Sequence, residues 1–164
     1  MRRFLVVLLI VLIVIQFIRP AKNISNNLFA ADVTRVYNMP QNVSAILKKA
    51  CTDCHSNNTI YPWYAQMQPI GWWLNNHIKE GKRELNLSEF GTYTIARQYK
   101  KLDDMAEQVN KGKMPISSYT LIHTNARLTD EEKDALINWC DNIRGIIKLK
   151  YPADSLKIKR RNTE

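Results

Sequence analysis

The sequence shows no sustained alternation of apolar and polar residues and no internal repeat, so it offers no evidence for β-strands or a repeat architecture. Glycine and proline are few, with 5 and 6 among 164 residues. At this length the chain is long enough for one compact domain and short for two. These absences favour a single domain whose regular structure is helical.

Aromatic residues are not interleaved with the basic ones, as they would be on a surface that stacks nucleic-acid bases. The net charge of +9 is concentrated on both sides of an N-terminal apolar run and near the C-terminus. Such clusters are typical of membrane flanks and solvated tails, and we expect no nucleic-acid partner. The clusters comprise Arg2, Arg3, Arg19 and Lys22 at one end, and Lys148, Lys150, Lys157, Lys159, Arg160 and Arg161 at the other.

The N-terminal segment has a basic start followed by an apolar run over residues 4–18 that only Gln16 interrupts. As a helix this run would span about 22 Å at ~1.5 Å per residue, against ~30 Å of hydrocarbon, and snorkelling from Arg3 and Arg19 would close the gap. A cleaved signal peptide is the alternative, but no A-x-A-like site follows directly. We expect residues 1–22 to be an inner-membrane anchor helix with the remaining chain facing the periplasm.

The rest of the chain divides into a tether and irregular arm over 23–42, a helical domain over 43–147, and a basic tail over 148–164. Four apolar stripes at helical spacing predict four or more helices, and Thr129 to Glu132 form a capping-box signature before the last. Loops are expected at about 56–69, 86–93 and 111–128. The stripes are Val43, Ile46, Leu47 and Ala50; Ile70, Trp73, Leu74, His77 and Ile78; Ile95, Tyr99, Leu102, Ala106 and Val109; and Leu136, Trp139, Cys140, Ile143 and Ile147.

Residues 51–55, CTDCH, carry two cysteines three apart with a histidine behind the second. A redox dithiol would need the first cysteine at the start of a helix that follows a strand, whereas this pair follows a helical stripe. A structural zinc site would need a second pair of ligands, and His77, His123 and Cys140 form none at ligand spacing. The sequence therefore favours neither a redox dithiol nor a structural zinc site.

A c-type haem would use the whole motif. The thiols of Cys51 and Cys54 would add across the two vinyl groups, and His55 would place its imidazole beneath the iron. In an exported chain this attachment keeps the cofactor bound. The motif therefore predicts one covalently attached haem c per chain, with His55 as an iron ligand.

The sixth iron ligand has two candidates. Met114 lies in a loop bounded by Gly and Pro after the third stripe, where a thioether could reach the iron, although a single methionine also often fills a core. His77 occupies the apolar stripe of its helix and could bind the iron or a haem propionate. Met105 is interpreted as helix surface or packing, and His123 as a loop hydrogen-bonder. If neither candidate binds, the iron is five-coordinate.

The short helix, CxxCH, "KMP" and "LTDEEKDALINWCDNI" together resemble class I cytochromes c. More specifically, "CTDCHSNNTIYPWY", "GWWLNNHIKEGKRELNLSEF" and "MPISSYTLIHTNARLTDEEKDALINW" resemble a family of small exported haem-binding domains of Bacteroidetes-type bacteria, over about residues 13 to 145. The resemblance implies covalent haem c with His55 as proximal ligand. Met114 matches the class I ligand position and His77 matches a position of the family, so the sixth ligand stays open.

The sequence departs from simple class I cytochromes by an insert at roughly 62–90. We interpret this insert as a wall over one haem edge, with at least two of Trp63, Trp72 and Trp73 in the core. Cys140 lies on the apolar stripe of the last helix and is expected to be a buried, inert thiol.

The expected molecule is an all-α, class I cytochrome c-like domain that carries single electrons and is not an enzyme. A basic surface would suit an acidic redox partner. The alternative is a haem enzyme or sensor with an open sixth coordination site, for peroxidase chemistry or gas binding.

Overall fold

The computed structural model describes residues 1–25, 27 and 29–158. Regular structure within these residues is entirely helical, which confirms the all-α prediction. Part of the predicted basic tail, residues 159–164, lies outside the described residues. The α-helices are α1 Arg2–Ile15, α2 Val33–Val36, α3 Gln41–Ala50, α4 Thr52–His55, α5 Ile70–Glu84, α6 Ile95–Asn110, α7 Ser117–Ile122 and α8 Asp130–Lys150. The 3-10 helices are Trp63–Gln66, Leu87–Thr92, Thr124–Ala126 and Ala153–Leu156.

The main core lies between α3, α6 and α8. All five members of the last apolar stripe are buried, as predicted, and α8 packs along α6 and against α3. Leu102 of α6 and Leu136 of α8 are completely buried, and each such side chain stabilises the fold by about 1.5–3 kcal/mol. Trp139 adds a polar contact by donating its indole N–H to the Asn38 carbonyl at 3.1 Å.

The start of α8 carries the predicted capping box. The Thr129 hydroxyl accepts from the Glu132 amide at 3.3 Å, and the Thr129 amide donates to the Glu132 carboxylate at 2.9 Å. The same carboxylate binds the Lys49 ammonium of α3 at 2.6 Å. The hydrogen bonds from Lys49 and from the Thr129 backbone lower the pKa of Glu132. The cap therefore also joins α8 to α3.

Replacing Thr129 with alanine should destabilise the protein by about 1 kcal/mol, because the Glu132 amide loses its acceptor. Urea denaturation at neutral pH measures this, and an unchanged free energy of unfolding would contradict it. Glu132→Gln tests the charge of the same cap, because it should change how the free energy of unfolding depends on pH. Because the folded-state pKa of Glu132 is lowered, the stabilisation from its charge is present above the ordinary carboxyl pKa and disappears as the pH falls below it.

The predicted irregular arm is partly helical. Val33, at the start of α2, is only 2% exposed and belongs to the main core. Gly91 donates its amide to the Ala31 carbonyl at 2.8 Å, and a Cβ on Gly91 would lie 2.7 Å from the Val36 side chain. The arm thus folds against the 3-10 helix Leu87–Thr92, because a few apolar residues of the arm are buried by this contact.

The apolar N-terminal run forms α1, and none of its 14 residues is buried. Within the part of the chain that the structure describes, no helix is both long and apolar enough to span a bilayer. The expected membrane-anchor helix over residues 1–22 is therefore not found, because the helix ends before Gln16.

The expectation that at least two of the insert's tryptophans are core residues is wrong. Trp63 is 77% exposed, Trp73 is 46% exposed, and Trp72 is half-buried. For Trp72 and Trp73 the reason is that α5 buries the face formed by Gly71, Leu74 and Ile78. A residue one position off that face lies at its edge, so the second stripe is only half buried.

Candidate functional site

The CTDCH motif forms a sharp corner between two helices. α3 ends at Ala50, and the extended φ of Cys51 (−125°) breaks the helix before α4 begins. The Cys51 carbonyl accepts hydrogen bonds from the amides of Cys54 at 3.2 Å and His55 at 2.9 Å. The two cysteines and the histidine therefore lie on a single helical turn.

The His55 ring is held in one orientation by the end of α5. Its Nδ1 lies 2.9 Å from the Gly81 carbonyl oxygen and 3.0 Å from that of Leu85. Because a carbonyl can only accept, Nδ1 carries the proton and Nε2 keeps its lone pair. Metal-bound histidines are typically oriented by such a hydrogen bond.

Burial favours the form of His55 that a metal needs. Removal from water lowers the pKa of His55, against the opposing effect of the hydrogen bonds to Leu85 and Gly81. The neutral imidazole is the form that binds a metal ion.

Gly81 permits the close approach of α5 to the motif. A Cβ built at this position would lie 2.7 Å from the Cys54 carbonyl oxygen and 3.2 Å from the Cys54 Cβ. Any side chain here would push α5 away from the carbonyl that it meets. The glycine thus lets the Gly81 and Leu85 carbonyls reach the His55 ring.

Two cavities border this corner, with volumes of about 390 Å³ and 340 Å³, in the usual range of ligand pockets. Cys54 lines the first cavity and Cys51 lines the second. Five residues line both: Ala50, His55, Glu84, Met114 and Pro115. Each cavity is therefore bordered by one motif cysteine, and both are bordered by His55 and Met114.

A tight reversal after α6 brings Met114 to this position. Gly112 has a φ of +63°, in the left-handed region that favours glycine, and its amide donates to the Val109 carbonyl at 3.0 Å. The amides of Lys113 and Met114 both donate to the Gln108 carbonyl, at 2.9 and 3.2 Å. The Met114 side chain is 37% exposed.

His77 lines the first cavity but not the second. Its Nδ1 lies 3.0 Å from the Trp73 carbonyl, so this nitrogen donates and Nε2 is left as the acceptor. The His77 and Trp73 rings lie with their centroids 4.1 Å apart. All five residues selected from the sequence, Cys51, Cys54, His55, His77 and Met114, thus line the two cavities.

His123 lines neither cavity, and it makes a hydrogen bond, as predicted for a loop residue. Its Nε2 lies 2.7 Å from the Tyr64 hydroxyl. The Tyr119 ring stacks on His123 with centroids 4.3 Å apart, and its hydroxyl donates to the Asp53 carboxylate at 2.7 Å. These contacts tie α7 to the CTDCH corner.

Sequence reasoning missed several residues that line the cavities. Met105 is buried and lines the second cavity, and its i+3 spacing from Leu102 could have indicated this. Tyr119 lines the first cavity, and no sequence pattern marks it. Lys101 lies 3.7 Å from Glu84, so the charged lining combines both signs. The charged residues that line the cavities are Asp53, Glu80, Arg83, Glu84, Lys101 and Asp104.

The surroundings of the three thiols disfavour their thiolate forms. Burial, followed by repulsion from Cys54, raises the pKa of Cys51 to about 12, and burial with the nearby Asp53 raises that of Cys54 to about 11. Dithiol enzymes instead lower the pKa of their attacking thiol. Cys140 is completely buried, as expected, and burial raises its pKa to about 12.

A zinc site also finds no support. Among residues 1–25, 27 and 29–158, no group of three or more His, Cys, Asp or Glu side chains is arranged to hold a metal ion. A structural zinc ion would need four such ligands.

A comparison with protein families tests the haem interpretation of the CTDCH motif. The family model described as "Haem-binding domain" matches residues 10–142. The chain belongs to the haem-binding domain family. The match agrees closely with the extent of the resemblance seen in the sequence. No curated protein and no solved structure matches this haem-binding domain.

The donor set of the cavities fits a haem. An imidazole with its lone pair available and a thioether border both cavities, two thiols lie one to each side, and much of the lining is apolar. Imidazole and thioether are common axial ligands of haem iron, and cysteines at this spacing attach c-type haem.

Proposed function

We propose that this haem-binding domain holds one covalently attached haem c and carries single electrons at the periplasmic side of the membrane. The observation that carries the proposal is the fixed His55 ring, whose Nε2 lone pair is left available between two cavities that each contain one motif cysteine. Bound haem would supply an iron that cycles between the ferric and ferrous states.

In this proposal Cys51 and Cys54 attach the cofactor and His55 binds the iron. Both thiols are neutral at physiological pH, because burial raises their pKa values. The donated hydrogen bond from Nδ1 to Gly81 and Leu85 raises the basicity of the imidazole and fixes its plane. The protein thus supplies a preorganised ligand.

Met114 is the proposed sixth ligand. It borders both cavities, as His55 does, whereas His77 borders only one of them. Met114 and His55 together would hold the iron, because both side chains border both cavities. We assign His77, together with Arg83 and Lys101, to the haem propionate groups, because these side chains can donate hydrogen bonds or carry positive charge.

With both His55 and Met114 as ligands, the iron would have no free coordination site for a substrate, which favours an electron carrier. The proposal therefore assigns no catalytic residue. The basic N-terminus ahead of the apolar run supports export, with the folded domain on the far side of the membrane. The net charge of +9 would favour an acidic redox partner.

Covalent attachment is tested by intact mass and by counting thiols. The full chain, produced with and without a cytochrome c maturation system, is denatured and treated with an alkylating reagent. After maturation we expect the mass of one haem to survive denaturation and one thiol, Cys140, to react. Without maturation we expect no haem adduct and three reactive thiols.

Two variants sharpen this result. Cys51→Ser with Cys54→Ser should abolish the adduct, whereas Cys140→Ser should leave it intact and remove the last reactive thiol. A chain that matures without an adduct, or that keeps three reactive thiols, would overturn the proposed attachment. Voltammetry of the matured protein then tests whether it accepts and returns one electron reversibly.

A further inference from the structure

The chain that leaves α1 is fixed to the domain. Gln16 donates to the Gln68 carbonyl at 3.1 Å and accepts from the Gln68 amide at 2.9 Å. The Trp72 indole N–H donates to the Ile18 carbonyl at 2.7 Å. The apolar α1 therefore joins the domain at one defined corner, beside the start of α5.

A basic cleft of about 320 Å³ lies just beyond this corner, between residues 21–23 and α5. Lys22, Lys79 and Lys82 line it together with Asn75. Lys82 donates to the Asn23 side chain at 2.7 Å, which fixes one wall of the cleft. In the described part of the chain, none of these three lysines lies within 4 Å of an Asp or Glu oxygen. Within the described residues the cleft thus combines three lysines that form no ion pair, and the Lys22 ammonium lies 5.8 Å from the centroid of the Tyr61 ring.

Exposed apolar residues also occur near the start of α5. Trp63 is largely exposed, and Met67, Ile70 and Trp73 are each nearly half exposed. The large apolar side chains of α1 are exposed as well, except for the partly buried Ile15. Tryptophans and lysines beside exposed apolar chain are the composition that proteins present to a lipid headgroup region.

We propose that the cleft of Lys22, Lys79 and Lys82 binds the headgroup phosphate of an anionic phospholipid. The inference rests on the membrane location in the proposed function, but not on the haem. The cleft segment, residues 21–23, directly follows the exposed apolar α1 and the fixed residues 16–18. This continuity favours a lipid over free phosphate, because a soluble anion would need no adjoining apolar surface. Bound in this way, the domain would lie on the membrane in one orientation.

The test is binding of the haem-loaded full chain to two kinds of vesicle, measured by co-sedimentation. One kind is pure phosphatidylcholine, and in the other a third of the lipid is phosphatidylglycerol. We expect Lys22→Gln, Lys79→Gln and Lys82→Gln together to weaken binding to the anionic vesicles on the order of 100-fold, about fivefold per lysine. Binding to phosphatidylcholine should not change.

A matched triple variant controls for net charge. It removes three other exposed lysines, with Lys48→Gln, Lys148→Gln and Lys150→Gln, and should leave anionic binding nearly intact. If the triple cleft variant folds poorly, Lys79→Gln alone, at an exposed position, should still show the fivefold loss. Equal losses in both triples would mean diffuse charge attraction and would overturn the cleft, as would no loss in either.

Free phosphate is tested separately by titration with inorganic phosphate at constant ionic strength. Displacement from anionic vesicles, or saturable binding that the cleft variant loses, would overturn the lipid assignment. The haem absorption spectrum separates the two proposals. Unchanged vesicle binding with intact haem would refute only the lipid cleft, and absent haem with cleft-dependent vesicle binding would refute only the electron carrier.

Discussion

Replacing Met114 with alanine should lower the midpoint potential of the bound haem by on the order of 0.1 V or more, and should let cyanide or carbon monoxide bind rapidly. A thioether ligand raises the potential, and axial ligands set haem potentials over a range of ~0.8 V. Spectroelectrochemical titration measures the first effect and stopped-flow mixing the second. Met114→His should restore a six-coordinate iron at a potential below that of the wild type.

His77→Ala is the matched control, because His77 lines only the first cavity. We expect it to leave both the ligand-binding rate and most of the potential unchanged. If the effects appear in the His77 variant and not in the Met114 variant, His77 is the sixth ligand and Met114 is a packing residue. Rapid cyanide binding by the unaltered protein would favour the haem enzyme or sensor instead.

Replacing Gly81 with alanine should disrupt the site through the backbone. The new Cβ would lie 2.7 Å from the Cys54 carbonyl oxygen, so α5 must move away from the motif. The hydrogen bonds from His55 Nδ1 to Gly81 and Leu85 would then lengthen, the imidazole would become less basic, and the potential of the bound haem should rise. Loss of such outer contacts typically costs 10–100-fold in metal affinity or activity.

Gly145→Ala isolates this contact from a general effect on helix stability. Gly145 also lies inside a helix, α8, but a Cβ there would meet nothing within 4 Å. Both substitutions gain about 1 kcal/mol of helix propensity. The Gly81 variant should therefore be less stable than the Gly145 variant by about 1–3 kcal/mol in urea denaturation, the usual cost of overpacking. Equal stability and equal potentials would show that α5 tolerates the added methyl.

The elements that sequence reasoning anticipated best are those with strong local signals. The capping box at Thr129 and the five-residue apolar stripe of α8 occur as predicted, because both depend on residues within a few positions of each other. The CTDCH turn is equally local, since one carbonyl organises it.

The features that the sequence did not predict depend on contacts between distant segments. α2 is fixed by the 3-10 helix Leu87–Thr92, some 50 residues later in the chain. The exposure of Trp73 follows from which face of α5 packs inward, and the apolar periodicity of α5 is compatible with two adjacent faces. The Tyr119 contact with Asp53 joins residues 66 positions apart.

The residues of the candidate site could be predicted only in part from the sequence, for the same reason. His55 was identified by its neighbours in the motif, but the carbonyls of Gly81 and Leu85 that orient its ring carry no side-chain signature. The Gly- and Pro-bounded loop marks Met114 as a candidate ligand, but only the fold shows that it shares both cavities with His55.

The two acceptors of the His55 ring proton are main-chain carbonyls, which a change of side chain does not remove. A substitution at Leu85 changes the side chain but leaves the acceptor oxygen in place. Such a substitution should therefore leave the orientation of the His55 ring largely unchanged. Carbonyl oxygens also gain and lose no proton in the physiological range, unlike the carboxylate that orients many metal-bound histidines. The hydrogen bonds that orient His55 should therefore be insensitive to the pH of the surrounding solution.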